Sequence, residues 1–270
     1  MAYSEHLHKL FPAISLVPED LLLLERFQIK YLPDRVPKKE FAALLQAYPL
    51  IHKFIVSKYP PIEKFIDKVF RETKPLKDSS IIEDYCQKLL WEIGEMIIYN
   101  KYPEVYDSNV KFNWKINEII DPDLLAGKTI IDAGSGSGQL AFLLAPFVDT
   151  VYAVEPLESF RQFIREKAKK KKLDSIYVVD GFLDSLPFIE NYADILLTSN
   201  AIGWNINKEL KEIECKVKPG GFAIHLMRTI GNKDENPLHE VLTSEKWSYA
   251  FSKSENKNGL KIKYSKTIKK

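Results

Sequence analysis

The chain has 270 residues, of which 45% are hydrophobic and 28% charged, and its formal net charge at pH 7 is +2. This balance is ordinary for a globular protein, and the length allows one large domain or one domain with a cap. So small a net charge argues against a nucleic-acid partner. The two cysteines, Cys86 and Cys215, offer neither a zinc-type pair nor a disulfide framework. We therefore expect no metal and a reducing, cytoplasmic compartment.

The first residues of the sequence do not predict a signal peptide. Residues 1–6 have neither a basic segment nor an apolar core, so a signal peptide is not expected. The apolar run from Leu21 to Leu24 is far too short to span a membrane. The sequence thus predicts no membrane partner, and it carries no signal for an oligomeric state.

Residues from about 10 to 118 carry the pattern of a helical region. Apolar residues between Ile62 and Phe70 fall at i, i+3, i+4, i+7 and i+8, the spacing of one helix face. Ser80 with Glu83 forms a capping-box pattern, which predicts the start of a longer helix.

This helical region is rich in aromatic residues near its end. They are Tyr85, Trp91, Tyr99, Tyr102, Tyr106, Phe112 and Trp114. We expect most of them to fill a helical core. The alternative is that Tyr102, Tyr106 and Trp114, with Trp204 from further along the chain, line a substrate pocket.

The rest of the chain alternates strands and helices, which is typical of a parallel sheet. Predicted strands lie near 129–133, 150–155, 175–180, 193–198, 221–227, 246–253 and 259–267, and predicted helices near 137–146, 158–171, 206–217 and 236–245. Asn258-Gly259, in the turn before the last strand, is a hairpin signal. We therefore predict an α/β fold of two regions: a helical N-terminal cap at 1–118, and a doubly wound, Rossmann-like, mostly parallel seven-stranded sheet at 119–270.

Residues 129–138, TIIDAGSGSG, predict a strand that ends in a glycine-rich turn. Glycine lets the backbone turn tightly and approach a ligand closely. A dinucleotide fingerprint would place its third glycine at position 139, where Gln139 stands, and a Walker loop would need Gly-Lys-Ser/Thr. An ordinary glycine-rich loop is the remaining alternative.

A second anchor is Glu155, which ends the predicted strand Val151-Tyr152-Ala153-Val154. Open α/β sheets bind ligands at this carboxyl edge. A carboxylate there can accept two hydrogen bonds from the hydroxyls of a ribose, and it disfavours a 2′-phosphate. The alternative is a surface carboxylate at a strand end.

The pattern of an acid, any residue and then G-x-G-x-G, at 132–138, resembles the first motif of class I S-adenosylmethionine-dependent methyltransferases. Further matches follow in the family's order: the acid Glu155, Asp180 in the run VVDGF, and the turn Lys218-Pro219-Gly220-Gly221. Together they cover residues 129–228 and are most similar to the type 11-like subgroup that acts on small molecules. The resemblance does not extend to residues 1–118.

The resemblance implies S-adenosylmethionine as cofactor, with S-adenosylhomocysteine as product. The cofactor-binding residues that it implies are Asp132, Gly134, Ser135, Gly136, Glu155, Pro156, Asp180, Gly181, Phe182, Asn200 and Ala201. In the family an acid after the third strand reaches the adenine amino group, which is the role implied for Asp180 rather than Asp184. The alternative for Asp180 is an ordinary turn residue.

The implied reaction is methyl transfer to a small-molecule acceptor. The catalytic residue is unknown from the sequence; His225 is the best-placed candidate for a general base, and its alternative is a histidine packed in the sheet. The lysine-rich run 167–172 is interpreted as a solvated helix end rather than a nucleic-acid patch. Two other functions stay open: a methyltransferase acting on protein or RNA, and a non-catalytic S-adenosylmethionine-binding protein.

Overall fold

The computed structural model of the chain describes residues 2–229, 238–256 and 259–269. The chain forms two compact units, Met1–Lys111 and Phe112–Lys270. Residues 112–118, which the sequence places in the N-terminal region, lie in the second unit. The reason is hydrophobic packing, since Trp114 and Ile116 join the core beneath the sheet.

The first unit is helical, which confirms the prediction for this part of the chain. Its helices are α1 (Ala2–Leu10), α2 (Arg26–Arg35), α3 (Lys38–Ala47), α4 (Pro49–Lys58), α5 (Glu63–Glu72), α6 (Ser79–Glu92), α7 (Gly94–Lys101) and α8 (Pro103–Asn109), with 3₁₀ helices at Pro18–Leu23 and Pro60–Ile62. Large aliphatic and aromatic side chains fill its core, among them Leu21, Leu24, Ile29, Leu32, Phe41, Leu44 and Ile97. Burial of these apolar surfaces is the main force that holds such short helices together.

The apolar stripe predicted between Ile62 and Phe70 is α5 and the 3₁₀ turn before it, with Ile66 and Val69 buried in the core. The capping-box prediction for Ser80 is wrong. Asp78 is the N-cap of α6, and its Oδ1 accepts a hydrogen bond from the Ser80 backbone N–H at 2.9 Å. The helix begins earlier because this carboxylate already satisfies one of the free N–H groups of the first turn.

The second unit is built on one seven-stranded sheet. Its strands are β1 (Thr129–Ala133), β2 (Thr150–Val154), β3 (Ile176–Val179), β4 (Ala193–Ser199), β5 (Val217–Thr229), β6 (Ala250–Asn256) and β7 (Gly259–Thr267). The strand order is β3-β2-β1-β4-β5-β7-β6. The first five strands pair in parallel, whereas β7 pairs antiparallel with both β5 and β6. This order confirms the predicted doubly wound, mostly parallel sheet.

Helices and short 3₁₀ turns connect the strands. They are α9 (Ile116–Ile119), α10 (Gln139–Leu144), α11 (Glu158–Lys171), α12 (Ile206–Lys216) and α13 (His239–Thr243), with 3₁₀ helices at Pro122–Leu124 and Ala145–Phe147. The lysine-rich run lies at the end of α11, where positive charges interact favourably with the helix dipole. The predicted positions 236–237 of the last helix, and Lys257 and Asn258 of the predicted hairpin turn, lie outside the described residues.

Alternating residues of each strand bury the two faces of the sheet. Ile130 and Ala153 face one core, while Ile131 and Val154 face the other. The strand order reverses between β1 and β4. Strands β2 and β3 lie on one side of β1, whereas β4 and β5 lie on its other side. Ligands of open α/β sheets bind outside the strand ends at such a switch point. The carboxyl ends of β1, β2, β3 and β4 therefore form the candidate site.

Candidate functional site

The glycine turn after β1 is held against the end of β2. The backbone N–H groups of Gly134 and Ser135 donate to the Val154 carbonyl oxygen at 2.9 and 3.0 Å. The Ser135 hydroxyl donates to the Asp132 carbonyl oxygen at 2.8 Å. Gly134 and Gly136 have φ values of 74° and 53°, a left-handed conformation that favours glycine. The turn is thus a fixed structure whose shape depends on its glycines.

Gly134 and Gly136 serve the turn in different ways. A Cβ on Gly134 would lie 2.4 Å from the Ala201 Cβ, so glycine is needed for the loop after β4 to pack here. At Gly136 no described heavy atom outside its chain neighbours lies within 4 Å of the added Cβ. Gly136 is therefore the position where a ligand could approach the backbone without displacing protein.

Asp132 lies in β1 just before this turn and is 1% exposed. Among the described residues its Oδ2 atom has no hydrogen-bond partner. Burial raises its pKa to about 7, and the nearby Glu155 charge raises it too, whereas a hydrogen bond from the Ala141 backbone opposes the rise. Asp132 is consequently close to half protonated at neutral pH.

Glu155 follows β2 and is 5% exposed, so it is not the surface carboxylate of the alternative interpretation. Its Oε2 accepts a hydrogen bond from the Gly136 N–H at 2.8 Å, and its Oε1 accepts one from the Leu157 N–H at 3.0 Å. The carboxylate therefore links the glycine turn to the end of β2.

Arg161, in the first turns of α11, is a site residue that the sequence reasoning missed. It is 8% exposed, and its Nη1 donates to the carbonyl oxygens of Glu155 at 2.9 Å and Pro156 at 2.5 Å. The same Nη1 donates to Asp180 Oδ1 at 2.9 Å, while Nε and Nη2 donate to Glu158 at 2.9 and 2.5 Å. No spacing motif in the sequence identifies this arginine, because its acceptors are backbone groups and an acid that follows another strand.

Asp180 and Gly181 follow β3 beside this arginine. The Asp180 side chain is 69% exposed and pairs with Arg161. A Cβ on Gly181 would lie 2.8 Å from Pro187 Cδ and 2.9 Å from Val154 Cγ1, so glycine lets the loop pack against the end of β2. Phe182 forms an isolated bridge with Ser185 in this loop. Of the two candidate acids, Asp180 thus adjoins the β2 end.

Asp184, the competing acid, points elsewhere. Its Oδ2 lies 3.1 Å from the Lys208 Nζ on α12. Its position separates it from the cluster around Glu155 that Asp180 joins through Arg161. Asp180 is therefore the acid of the two that lies beside the end of β2, and its role toward adenine stays a prediction.

Asn200 and Ala201 follow β4 on the other side of the switch point. Asn200 has a φ of 51°, and its N–H donates to the Leu226 carbonyl oxygen at 2.9 Å. Its Oδ1 accepts a hydrogen bond from the Arg228 N–H at 2.8 Å. The amide side chain thus ties the end of β4 to β5, while Ala201 packs against Gly134.

Glu209 shapes the loop that carries Trp204 and is a second residue missed from the sequence. It is 4% exposed and accepts hydrogen bonds from the N–H groups of Gly203, Trp204 and Asn205 at 2.7, 3.0 and 2.8 Å. An acid in the first turn of a predicted helix was the available signal. The Trp204 side chain itself is 61% exposed.

The comparisons with known proteins agree with this geometry. Residues 131–225 match a family model described as a methyltransferase domain, which covers the chain from β1 into β5. The second unit therefore carries the match to a methyltransferase domain, and we call it the methyltransferase domain for that reason. The family match does not include the helical unit.

Individual relatives share only parts of the chain. Protein-L-isoaspartate O-methyltransferase 2 of Syntrophobacter fumaroxidans is 31% identical over 101 residues, 36% of this chain and 37% of that protein. A structure of a SAM dependent methyltransferase from Aquifex aeolicus is 19% identical, covering 56% of this chain and 92% of that chain with a TM-score of 0.46. Precorrin-6y C5,15-methyltransferase from Geobacter metallireducens is 16% identical, covering 54% and 82% with a TM-score of 0.44.

In the methyltransferase domain His225 lies in the middle of β5 and is fully buried. Its Nδ1 is hydrogen-bonded to the Thr198 hydroxyl at 2.9 Å, and its Nε2 has no partner among the described residues. Burial lowers its pKa to about 3. A general base must reach the proton that it removes. The geometry is that of the packed histidine, the alternative interpretation, so we do not retain His225 as a base.

The four aromatic residues predicted to line a substrate pocket have different surroundings. Tyr102 and Tyr106 pack against the core of the helical unit, and the Tyr106 ring lies 4.8 Å from that of Tyr99. Trp114 belongs to a core of the methyltransferase domain, is 7% exposed, and has the Lys261 Nζ 5.0 Å from its ring. These three positions fit the core interpretation. Their role toward a substrate stays a prediction, as does that of Trp204.

Two further features concern the residues that the structure describes, 2–229, 238–256 and 259–269. Within those ranges no three or more His, Cys, Asp or Glu side chains converge into a group that could hold a metal ion. None of the helices described there combines the length and the apolar composition needed to cross a membrane.

Proposed function

We propose that the whole chain is a methyltransferase that uses S-adenosylmethionine to methylate a small-molecule acceptor. The observation that carries this proposal is the buried Glu155 carboxylate, hydrogen-bonded to Gly136 at the switch point of the sheet. A buried carboxylate at the carboxyl edge of the sheet, beside a backbone position with open space at Gly136, suits the ribose hydroxyls of a nucleoside.

The other strand ends supply the proposed contacts to the rest of the cofactor. Asp180 and Phe182, after β3, would bind the adenine, and Asn200 and Ala201, after β4, would lie by the methionine part. Pro156 and Gly181 would shape the backbone between the adenine-binding and the methionine-binding residues, because each lies beside the end of β2. Asp132 would stabilise the turn that faces the cofactor.

When bound, S-adenosylmethionine supplies an electrophilic methyl group on a sulfonium sulfur. The task of this chain is to fix both ends of the nucleoside and to align the acceptor for in-line attack. Buried Glu155 and Arg161 suit the first task, because their positions are set by hydrogen bonds before any ligand arrives.

A second candidate is transfer to a protein. It is favoured by the curated relative, whose name is that of a protein-L-isoaspartate O-methyltransferase and which shares 31% identity over 101 residues. The shared segment amounts to little more than a third of either chain. We therefore place this candidate second to the small-molecule acceptor.

The test is to incubate the chain with methyl-labelled S-adenosylmethionine and a cell extract, and then to separate small molecules from macromolecules. We expect label in the small-molecule fraction with the wild type and a strong decrease with Glu155→Ala. Label confined to the protein fraction would favour the second candidate instead. Binding of the cofactor without transfer to either fraction would identify a non-catalytic binding protein.

A further inference from the structure

Arg161 is a buried guanidinium that joins the ends of two strands. Its Nη1 reaches the carbonyl oxygens of Glu155 and Pro156 after β2 and the Asp180 carboxylate after β3. Burial of an unpaired charge is costly, and Arg161 reduces that cost because its Nε, Nη1 and Nη2 atoms each donate a hydrogen bond. Its orientation is therefore set by the protein rather than by a ligand.

The pairing has a direct consequence for Asp180. This side chain is 69% exposed and would otherwise be able to rotate. Arg161 holds its Oδ1 atom at 2.9 Å, and no hydrogen bond of the other oxygen, Oδ2, is seen among the described residues. The pair with Arg161 thus sets the orientation in which Asp180 presents its carboxylate, with Oδ2 directed away from the guanidinium.

A carboxylate in a fixed orientation discriminates between purines. The 6-amino group of adenine donates a hydrogen bond, whereas the 6-oxo group of hypoxanthine is an acceptor that a carboxylate oxygen repels. We propose that Arg161 is a positioning residue: it orients Asp180 so that the domain selects a 6-amino over a 6-oxo nucleoside. This inference rests on the proposed function, because it assumes that the strand ends bind the nucleoside of S-adenosylmethionine.

The test compares the affinities of S-adenosylhomocysteine and S-inosylhomocysteine by titration calorimetry. For the wild type we expect a preference of roughly 10- to 100-fold for the adenosine compound, the scale of a hydrogen bond to a charged group. Arg161→Met should reduce that preference to a few-fold. Arg165→Met is the matched control: Arg165 lies one helical turn further along α11 and approaches the same Glu158 at 3.4 Å, but it pairs with no atom of Asp180.

A second variant tests the orientation without removing the arginine. In Asp180→Asn, Arg161 should hold the amide oxygen and leave the amide NH₂ facing the purine, so the preference should reverse toward S-inosylhomocysteine. In the double variant with Arg161→Met, the amide can rotate and the preference should vanish. This comparison remains decisive if the Arg161→Met protein alone fails to fold, because Asp180→Asn keeps the buried arginine.

The outcomes separate the two proposals. If the wild type binds S-adenosylhomocysteine and Asp180→Asn keeps the full preference for it, the positioning role is overturned while the cofactor assignment stands. The same conclusion follows if folded Arg161→Met matches Arg165→Met in its preference. If the wild type binds neither compound, the proposed function itself is contradicted, and this inference with it.

Discussion

Buried ionisable side chains have different surroundings on the two sides of the switch point. After β2 and β3, the polar groups of Glu155 and Arg161 are matched by hydrogen bonds. In β1 and β5, Asp132 and His225 are equally buried, but each has a polar atom without a partner among the described residues, and burial shifts the pKa of each toward its neutral form. The first side therefore fits the proposed ligand recognition, and we expect the second to set how the free energy of unfolding depends on pH.

The largest expected effect comes from Gly134, the residue at which the two sides meet. In Gly134→Val the side chain collides with Ala201, and the residue keeps an unfavourable φ of 74°. We expect the free energy of unfolding to fall by about 2–5 kcal/mol, the sum of overpacking and left-handed strain. Urea unfolding followed by circular dichroism measures this loss.

Gly136→Ala is the control for that substitution. Its Cβ meets no described atom within 4 Å, so only the backbone strain of about 1–2 kcal/mol applies. The sequence alone predicts a folded protein without cofactor binding for valine at either glycine, and the structure separates the two positions. Equal losses of stability in Gly134→Val and Gly136→Ala would contradict the packing role of Gly134.

On the side that fits the proposed ligand recognition, Glu155→Ala should weaken binding of S-adenosylhomocysteine by about 1.5–3 kcal/mol, the scale of hydrogen bonds to a charged group. NAD should not bind to either protein. Glu166→Ala, an exposed acid on α11, is the control and should leave the affinity unchanged. Calorimetry that gives Glu155→Ala the affinity of the wild type would sink the ribose assignment.

On the other side, His225 should make the protein sensitive to acid. Its pKa is about 3 when folded and 6.5 ordinarily, so the unfolded chain binds more protons between these values. The stability that neutral His225 permits is complete above pH 6.5 and is lost as the pH falls toward 3. The slope is at most about 1.4 kcal/mol per pH unit. Denaturant unfolding between about pH 7 and pH 5 should show a smaller slope for His225→Gln; an unchanged slope would contradict the buried neutral histidine.

Asp132 should act in the opposite direction and somewhat more weakly. Its pKa is about 7 when folded and 3.8 ordinarily, so the folded protein binds more protons between these values. Its contribution to stability is present below pH 3.8 and is lost as the pH rises through 7. Asp132→Asn should therefore gain stability relative to the wild type above about pH 7 and differ little near pH 4. A variant less stable at both pH values would show that the carboxylate is needed in its charged form.

The parts of this site that were predictable from the sequence are those whose residues form a pattern with their neighbours along the chain. β-Branched runs followed by glycine or an acid predict β1, β2 and the positions of Gly134 and Glu155, because each strand places its last residue at the same edge of the sheet. The burial of His225 could also be predicted, because it lies within the run FAIHLM, which has apolar residues on both faces of the strand.

The partners of Arg161 and Glu209 were not predictable, because they are set by the fold; only the place of Glu209 in the first turn of a predicted helix could be seen in the sequence. Arg161 meets Asp180 across two strand ends, and Glu209 meets three backbone N–H groups of a loop whose shape the sequence does not specify. The prediction of Ser80 as the N-cap was wrong for a simpler reason. Two residues near the helix start could act as the N-cap, and Asp78 does so. Side chains that bond to backbone groups leave no spacing signature.

The central claim is that the strand ends of β1, β2 and β3 hold the nucleoside of S-adenosylmethionine. A crystal structure of the chain with S-adenosylhomocysteine tests it most directly. The account predicts the ribose hydroxyls within hydrogen-bond distance of the Glu155 carboxylate and the adenine amino group beside Asp180, with Arg161 still on Asp180 Oδ1. A nucleoside bound away from Glu155, or a ribose that contacts no carboxylate, would contradict it.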